Sequence, residues 1–146
     1  MNTEMKNEEL PTRYLPHRPP MIFIDRINSI DEENKTIHRS FSPGRDFFLL
    51  ENEKIPEAIY IEVMAQTAAC LKGWIDVHRG LPVKIGYLVG IEEANFYNNN
   101  TYQAGQTFIT EAIMTKEFGN YFGFVCKIEL NGEKITDATL SFMVLQ

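Results

Sequence analysis

Two side chains of this sequence are candidates for acid and base chemistry, and the first of them is Glu62. It is the only charged residue in the apolar stretch from Ala58 to Leu71. Removing an isolated carboxylate from water costs several kcal/mol, so such a group must be paired, hydrogen-bonded or protonated. A carboxyl group held in this way is suited to acid catalysis. A structural partnership with a buried arginine or a backbone amide is the alternative explanation.

The second candidate is His17, which lies in the segment Leu15-Pro16-His17-Arg18-Pro19-Pro20. Proline fixes its own φ angle and restricts the residue before it, so the histidine belongs to a pre-oriented segment. Imidazole titrates near neutral pH, which suits it to general acid or base catalysis. An ordinary loop histidine is the alternative. His38 and His78 are expected at the surface, on a strand and near a helix end.

The strongest helical pattern in the chain begins at Pro56 and continues to about His78. Proline suits the first helical turn, and Glu57 beside it complements the positive end of the helix dipole. The helix is apolar nearly all round, so it should be buried. Gln66, one turn beyond Glu62, could orient that carboxylate. Another backbone could approach closely along a line of residues that are small apart from the carboxylate: Ala58, Glu62, Ala65, Ala69 and Gly73.

Extended segments are predicted on both sides of this helix. Two precede it, over residues 21–27 and 35–41, and an acidic turn at Asp31-Glu32-Glu33-Asn34 separates them. Four longer ones follow it, over residues 83–96, 105–118, 121–130 and 134–145. Their boundaries are turns at Asn98-Asn99-Asn100, Gly119-Asn120 and Asn131-Gly132, and the last of these is a favoured hairpin dipeptide.

A helix without a polar face cannot rest on one side of a sheet with its back to water. We therefore predict an α+β protein of hot-dog architecture, in which a curved antiparallel sheet wraps around the long central helix. A second copy would close the open side and pair with the exposed edge strand, so a homodimer is expected. Residues 1–13 are predicted to be a polar leader, and residues 14–146 a single domain.

Composition narrows the range of functions. The formal net charge of −6 and the isoelectric point of about 5.1 argue against nucleic-acid binding. The polar first ten residues and the absence of a long apolar run indicate neither a signal peptide nor a membrane span, so we expect a cytoplasmic protein. Cys70 and Cys126 lack metal-ligand spacing, and neither a metal nor a cofactor is predicted. An acidic partner would need a local basic patch, which could come from Arg13, Arg18, Arg26, Arg39 and Arg45.

Two motifs resemble those of a known family. Leu15-Pro16-His17-Arg18, followed by Asp25-Arg26, resembles the N-terminal motif of β-hydroxyacyl-(acyl carrier protein) dehydratases of the FabZ type. Glu62-Val63-Met64-Ala65-Gln66 resembles the family's helix motif E-A-M-A-Q, and the likeness extends from about residue 15 to the end. It implies a hot-dog dimer or trimer of dimers that removes water from a 3-hydroxyacyl chain carried by acyl carrier protein.

The resemblance also implies a set of site residues. The family's helix carboxylate corresponds to Glu62, and helix amides around Glu57 and Ala58 would polarise the thioester carbonyl. Gln66 completes this predicted substrate-binding set. One element of the family pattern is missing, because the histidine of its G-H-F-P-G segment has no counterpart in the nearest match, which is Arg39-Ser40-Phe41-Ser42-Pro43-Gly44-Arg45.

The chain therefore resembles more closely a divergent branch of dehydratases found with aryl-polyene-type pathways. We assign the role of the base to His17 as a hypothesis, and the role of the acid to Glu62. Two alternatives stay open. A hot-dog thioesterase would use Glu62 to activate water without a histidine, and a non-catalytic subunit would only bind the acyl carrier.

Overall fold

In the part of the chain that the structure describes, a six-stranded antiparallel sheet curves around one long helix. The computed structural model describes residues 10–25, 27–43, 54–97 and 106–145. Its elements in chain order are α1 (Pro11–Tyr14), β1 (Ile27–Asp31), β2 (Thr36–Phe41), α2 (Glu57–His78), β3 (Gly86–Phe96), β4 (Phe108–Phe118), β5 (Tyr121–Leu130) and β6 (Glu133–Val144). The strand order is β1-β2-β4-β5-β6-β3, so β1 and β3 form the two edges. The predicted α+β hot-dog fold is confirmed.

Helix α2 has the predicted position and length, with Pro56 just before its first residue and Gly80 just after its end. Gly80 has a φ of +76°, a conformation that glycine adopts without strain. The side chains of α2 from Val63 to Ala68 are all buried, whereas those of its first two residues, Glu57 and Ala58, are exposed. Within the described ranges, neither helix has the length and apolar character needed to cross a bilayer.

The inner face of the sheet follows the alternation seen in the sequence. Phe122, Phe124, Cys126 and Ile128 of β5 are buried against α2, and Ala138, Leu140, Phe142 and Val144 of β6 continue this layer. The β5–β6 hairpin turns through Asn131 and Gly132, whose φ angles are +54° and +80°. Both central residues of a type I′ turn need positive φ, so the hairpin predicted from this dipeptide is confirmed.

Gly73 is the point at which a second backbone approaches α2. A Cβ atom built on this glycine would lie 2.1 Å from the carbonyl oxygen of Tyr14, at the end of α1. Only the absence of a side chain permits this approach, as the line of small residues predicted. Helical turn α1 begins at Pro11, inside the segment predicted to be a polar leader, and the side chain of Tyr14 is fully buried.

The first strand was predicted at residues 21–27, which is too early in the chain. The apolar run at residues 21–25 is not part of a strand, although the Asp25 amide donates to the Ser40 carbonyl oxygen of β2, and β1 begins at Ile27. Two backbone groups of this run are hydrogen-bonded to a helix side chain, because Gln66 accepts from the Phe23 amide and donates to the Met21 carbonyl. β3 likewise begins at Gly86, since its partner strand ends opposite that residue at Val144.

Some predictions fall outside the described residues. These are the leader up to residue 9, the Asn98-Asn99-Asn100 turn, the start of a strand at Gly105, and the arginines Arg26 and Arg45.

The prediction that Arg39 belongs to a basic surface patch is wrong. Its side chain is fully buried, because residues 37, 39 and 41 of β2 all face inward. The guanidinium Nη1 donates to Cys70 Sγ at 3.0 Å, and Nη2 donates to the Asp25 carbonyl oxygen. Burial lowers the pKa of Arg39 and raises that of the Cys70 thiol. Arg39 therefore joins β2 to α2 inside the molecule and is not available to an acidic partner.

Candidate active site

The structure brings His17 and Glu62 together, both from the same chain. His17 Nε2 lies 3.5 Å from Glu62 Oε2. The two side chains are 33% and 41% exposed, so Glu62 is not buried within one chain as its apolar surroundings suggested. Within the described residues, its carboxylate contacts His17 and Gln66.

The segment around His17 is held by its own neighbours. Leu15 is buried in the core, and the next arginine turns back, so that Arg18 Nη1 donates to the carbonyl oxygens of Leu15 at 2.8 Å and His17 at 2.7 Å. The ring atom His17 Nδ1 is buried and has no hydrogen-bond partner among the described residues. The imidazole is thus fixed by its backbone, and its Nε2 is the atom that faces the carboxylate.

Gln66 connects the two halves of the site. Its side-chain Nε2 donates to Glu62 Oε2 at 2.9 Å and to the Met21 carbonyl oxygen at 2.8 Å. Its Oε1 accepts from the Phe23 amide at 2.8 Å, and the residue is 1% exposed. One buried amide therefore orients the carboxylate and also fastens the chain that follows His17 to the helix. The sequence indicated only the first of these roles, because the second joins residues that are more than 40 positions apart.

Gln66→Met should lower the free energy of unfolding by about 2 kcal/mol, because it leaves the buried Phe23 N–H without its acceptor and removes the donor to the partly buried Met21 carbonyl. Gln66→Glu should be less stable still at neutral pH, since it places a second carboxylate beside Glu62. Chemical denaturation at several pH values measures both. The gap between the two variants should narrow as the pH falls and the carboxyls become protonated. Equal stability of both variants and the wild type would contradict this role.

The other two predicted substrate-binding residues lie in the first turn of α2. Ala58 precedes Glu62 by one helical turn, so it lies on the same face, whereas the side chain of Glu57 points elsewhere. Both are exposed, and no side chain of the described residues caps this helix end. The first amides of a helix have no partner within it. On the side of Glu62 nearer the helix start, the described residues thus offer N–H donors that have no partner within the helix.

The remaining histidines lie elsewhere. On the outer face of the sheet, His38 lies between Ser29 Oγ at 3.0 Å and Glu111 Oε1 at 2.8 Å. His78 stacks on Trp74 with ring centroids 3.9 Å apart. In the part of the chain that the structure describes, no three His, Cys, Asp or Glu side chains are grouped as a metal site requires. His17 is the histidine that the fold places beside Glu62.

Comparison with known proteins identifies a family of dehydratases. The family model described as ApeP-like, ApeP dehydratase, matches residues 10–146. The chain is also 28% identical over 133 residues to the 3-hydroxyacyl-(acyl-carrier-protein) dehydratase FabZ of Nitrosomonas europaea. The aligned region covers 88% of this chain and 85% of that protein.

Solved structures share the fold. The dehydratase heterocomplex ApeI:P from Xenorhabdus doucetiae superposes with a TM-score of 0.85 at 20% identity, covering 94% of this chain and 91% of that chain. A hypothetical thioesterase protein with coenzyme A from Streptococcus pneumoniae gives a TM-score of 0.62 at 9% identity, covering 82% and 84%. At such identities the superpositions establish architecture, and chemistry must be argued from the site.

Proposed function

The chain belongs to the ApeP-like dehydratase family, and on that premise we propose that it removes water from 3-hydroxyacyl thioesters of an acyl carrier protein. The observation that carries the proposal is the 3.5 Å separation of His17 Nε2 and Glu62 Oε2. An imidazole and a carboxyl group at this distance can act on neighbouring atoms of one substrate. Dehydration needs two such groups, because a proton leaves C2 while the hydroxyl leaves C3.

The proposed reaction balances on these two residues. Neutral His17 takes the C2 proton, the C2 electron pair forms the double bond, and protonated Glu62 gives its proton to the departing hydroxyl, which leaves as water. The enzyme is then left with an imidazolium and a carboxylate. Transfer of the proton from His17 to Glu62 across their short separation restores the starting state. Gln66 keeps the carboxyl group in position throughout.

The thioester carbonyl needs a donor as charge develops on its oxygen. The backbone amides of Glu57 and Ala58 have no partner within α2 and lie about 6 to 8 Å along the axis before Glu62. Backbone N–H groups aimed at a developing oxyanion are a strong source of transition-state stabilisation. The proposed site therefore has its acid, its base and its carbonyl donors within the first turns of one helix and the segment that crosses it.

Hydrolysis is the second candidate, and the partly exposed carboxylate of Glu62 favours it, because water can reach this group. One assay separates the candidates. The protein is incubated with 3-hydroxyacyl and with saturated acyl thioesters, and both enoyl product and free thiol are measured. Enoyl product without free thiol is expected. Free thiol alone would establish a thioesterase, and retained carrier binding with neither product would establish a non-catalytic subunit.

The carrier domain is proposed to dock beside His17. Arg13 and Arg18 are both exposed there, on either side of the buried Tyr14 and Leu15. They place positive charge near the site in a protein whose net charge is −6. Because exposed charges act mainly on the rate of encounter, binding of the acidic carrier should weaken as ionic strength rises.

A second copy is proposed to pair with β3. This edge strand exposes Tyr87, Val89 and Ile91, each at least half exposed in the single chain. An apolar edge strand is a template for pairing with another chain. We expect a dimer in sedimentation velocity, and Val89→Lys should shift it to monomer, whereas Val125→Lys on the outer face of β5 should not. A wild-type monomer at every concentration would contradict the homodimer.

A further inference from the structure

A chain of hydrogen bonds crosses the outer face of the sheet, on the side away from α2. Ser29 of β1 and His38 of β2 are direct cross-strand partners, and so are His38 and Glu111 of β4. Ser29 Oγ lies 3.0 Å from His38 Nδ1, and His38 Nε2 lies 2.8 Å from Glu111 Oε1. An ionised carboxylate only accepts hydrogen bonds. In a neutral imidazole at this place, Nε2 therefore carries the proton and Nδ1 accepts from the serine hydroxyl.

These contacts have the order found around an activated serine nucleophile. In serine hydrolases the hydroxyl donates to an imidazole whose other nitrogen donates to a carboxylate, and this group recurs on unrelated folds. Here the two ring nitrogens exchange places, which leaves the direction of proton transfer unchanged. Glu111 is held in turn by Lys127, whose Nζ lies 3.8 Å from Glu111 Oε2. Because the three side chains come from adjacent strands, the paired backbone of β1, β2 and β4 fixes their spacing.

A backbone donor lies beside the Ser29 hydroxyl. The Ser40 carbonyl oxygen of β2 accepts from the Asp25 amide, which is on the β1 side of that strand. Backbone groups alternate in direction along a strand, so His38, two residues earlier, also faces β1 and pairs with Ser29. The next residue, Ile30, then directs its N–H away from β2, towards the edge that β1 forms in the described sheet. In other serine hydrolases the amide that follows the nucleophile is one of the oxyanion donors.

We propose that Ser29, His38 and Glu111 form a second, hydrolytic site that cleaves aryl esters of short carboxylic acids. His38 Nδ1 removes the hydroxyl proton as Ser29 Oγ bonds to the ester carbonyl carbon. The bond from that carbon to the aryl oxygen then breaks, and His38 returns the proton to the leaving alcohol. Water attacks the acyl-serine in the same way, which releases the acid and restores the hydroxyl, so that only water is consumed.

The position of the site decides the class of ester. Ser29 is partly exposed, and the side chains of His38 and Glu111 are 35% and 18% exposed, so a small ester in solution can reach the hydroxyl. An aryl alcohol departs readily and needs little binding surface. A thioester tethered to a carrier docked beside His17 is held on the helix side of the sheet, away from Ser29. The two sites therefore take different substrates.

Hydrolysis of 4-nitrophenyl acetate by the full chain is the first measurement. The wild type should release nitrophenolate above the rate in buffer, and Ser29→Ala should lower kcat/KM by about 10²-fold. His38→Ala should cost about as much, because the two residues act as a unit. Glu111→Gln should cost about tenfold or more, since it removes the charge that stabilises the imidazolium. The matched control is Ser42→Ala, which removes a hydroxyl bonded to Thr107 at 3.0 Å and should change the rate by less than about twofold.

The second measurement is the position of a covalent adduct, because an exposed imidazole alone can also cleave an activated ester. Phenylmethylsulfonyl fluoride sulfonylates activated serines, and peptide mass mapping should find the adduct on Ser29 of the wild type but not on Ser29 of His38→Ala. The proposal requires both results. Equal ester hydrolysis by the wild type and Ser29→Ala, or a wild-type Ser29 that stays unmodified, would overturn it.

Discussion

His17→Ala and Glu62→Gln are each expected to lower kcat for dehydration by about 10²- to 10⁴-fold, the usual contribution of a positioned acid or base. The physical reason is that each variant keeps the fold and removes one of the two proton transfers. Glu62→Gln preserves the shape of the side chain and the possibility of a bond to Gln66. The enoyl product formed from a 3-hydroxyacyl thioester at saturating concentration is the measurement.

Two matched variants control for loss of a histidine or a carboxylate as such. His38→Ala removes a histidine on the outer face of the sheet, and Glu117→Gln neutralises a carboxylate of a surface ion pair. Both should retain kcat within about twofold, since surface changes away from a site have small effects. The double variant of His17 and Glu62 should have a kcat only slightly lower than that of the less active single variant, because the effects of residues that act as a unit are not additive. Near-normal turnover in either single variant would remove that residue from the mechanism.

Gly73→Ala should lower the free energy of unfolding by about 3 kcal/mol, at the upper end of what overpacking usually costs. The added methyl would lie 2.1 Å from the carbonyl oxygen of Tyr14, and a backbone atom cannot rotate away. Alanine normally stabilises a helix relative to glycine by about 1 kcal/mol, so the expected sign is opposite to that of helix propensity alone. Urea denaturation monitored by circular dichroism is the measurement.

Ala58→Ser is the control for this second prediction, because it changes an exposed residue of the same helix and should shift stability by less than about 0.5 kcal/mol. Gly73→Ala should also reduce activity by more than its loss of stability explains, since Tyr14 is three residues before His17 and moves with α1. A Gly73→Ala protein that is more stable than the wild type would show that α1 does not rest on this glycine.

The long helix and the late strands could be predicted because their causes are local. Pro56 at the start of α2, Gly80 after its end and the dipeptide Asn131-Gly132 each set the backbone within a few residues of themselves. The side-chain alternation of β5 and β6 likewise shows which residues face the core. The start of β1 could not be found in this way, because the apolar run before it is held by a helix residue distant in sequence.

The same distinction applies to the candidate site. The sequence identified His17 and Glu62 separately, since a histidine among prolines and a lone carboxylate in an apolar helix are unusual wherever they occur. It did not show that they lie 3.5 Å apart, nor that Glu62 remains partly exposed in the single chain. Nor did it show that Arg39, grouped with the surface arginines, is fully buried and bonded to Cys70.

The long helix, the later strands and the residues capable of chemistry could thus be predicted, because periodicity, turns and residue type act over a few positions. Which of those residues meet depends on the tertiary fold. That outcome depends on how the segment carrying His17 is fastened to α2, through Gln66 on one side and the close approach at Gly73 on the other. Both contacts join residues that are tens of positions apart, so the hydrogen bonds of Gln66 and the packing at Gly73 form only in the folded chain.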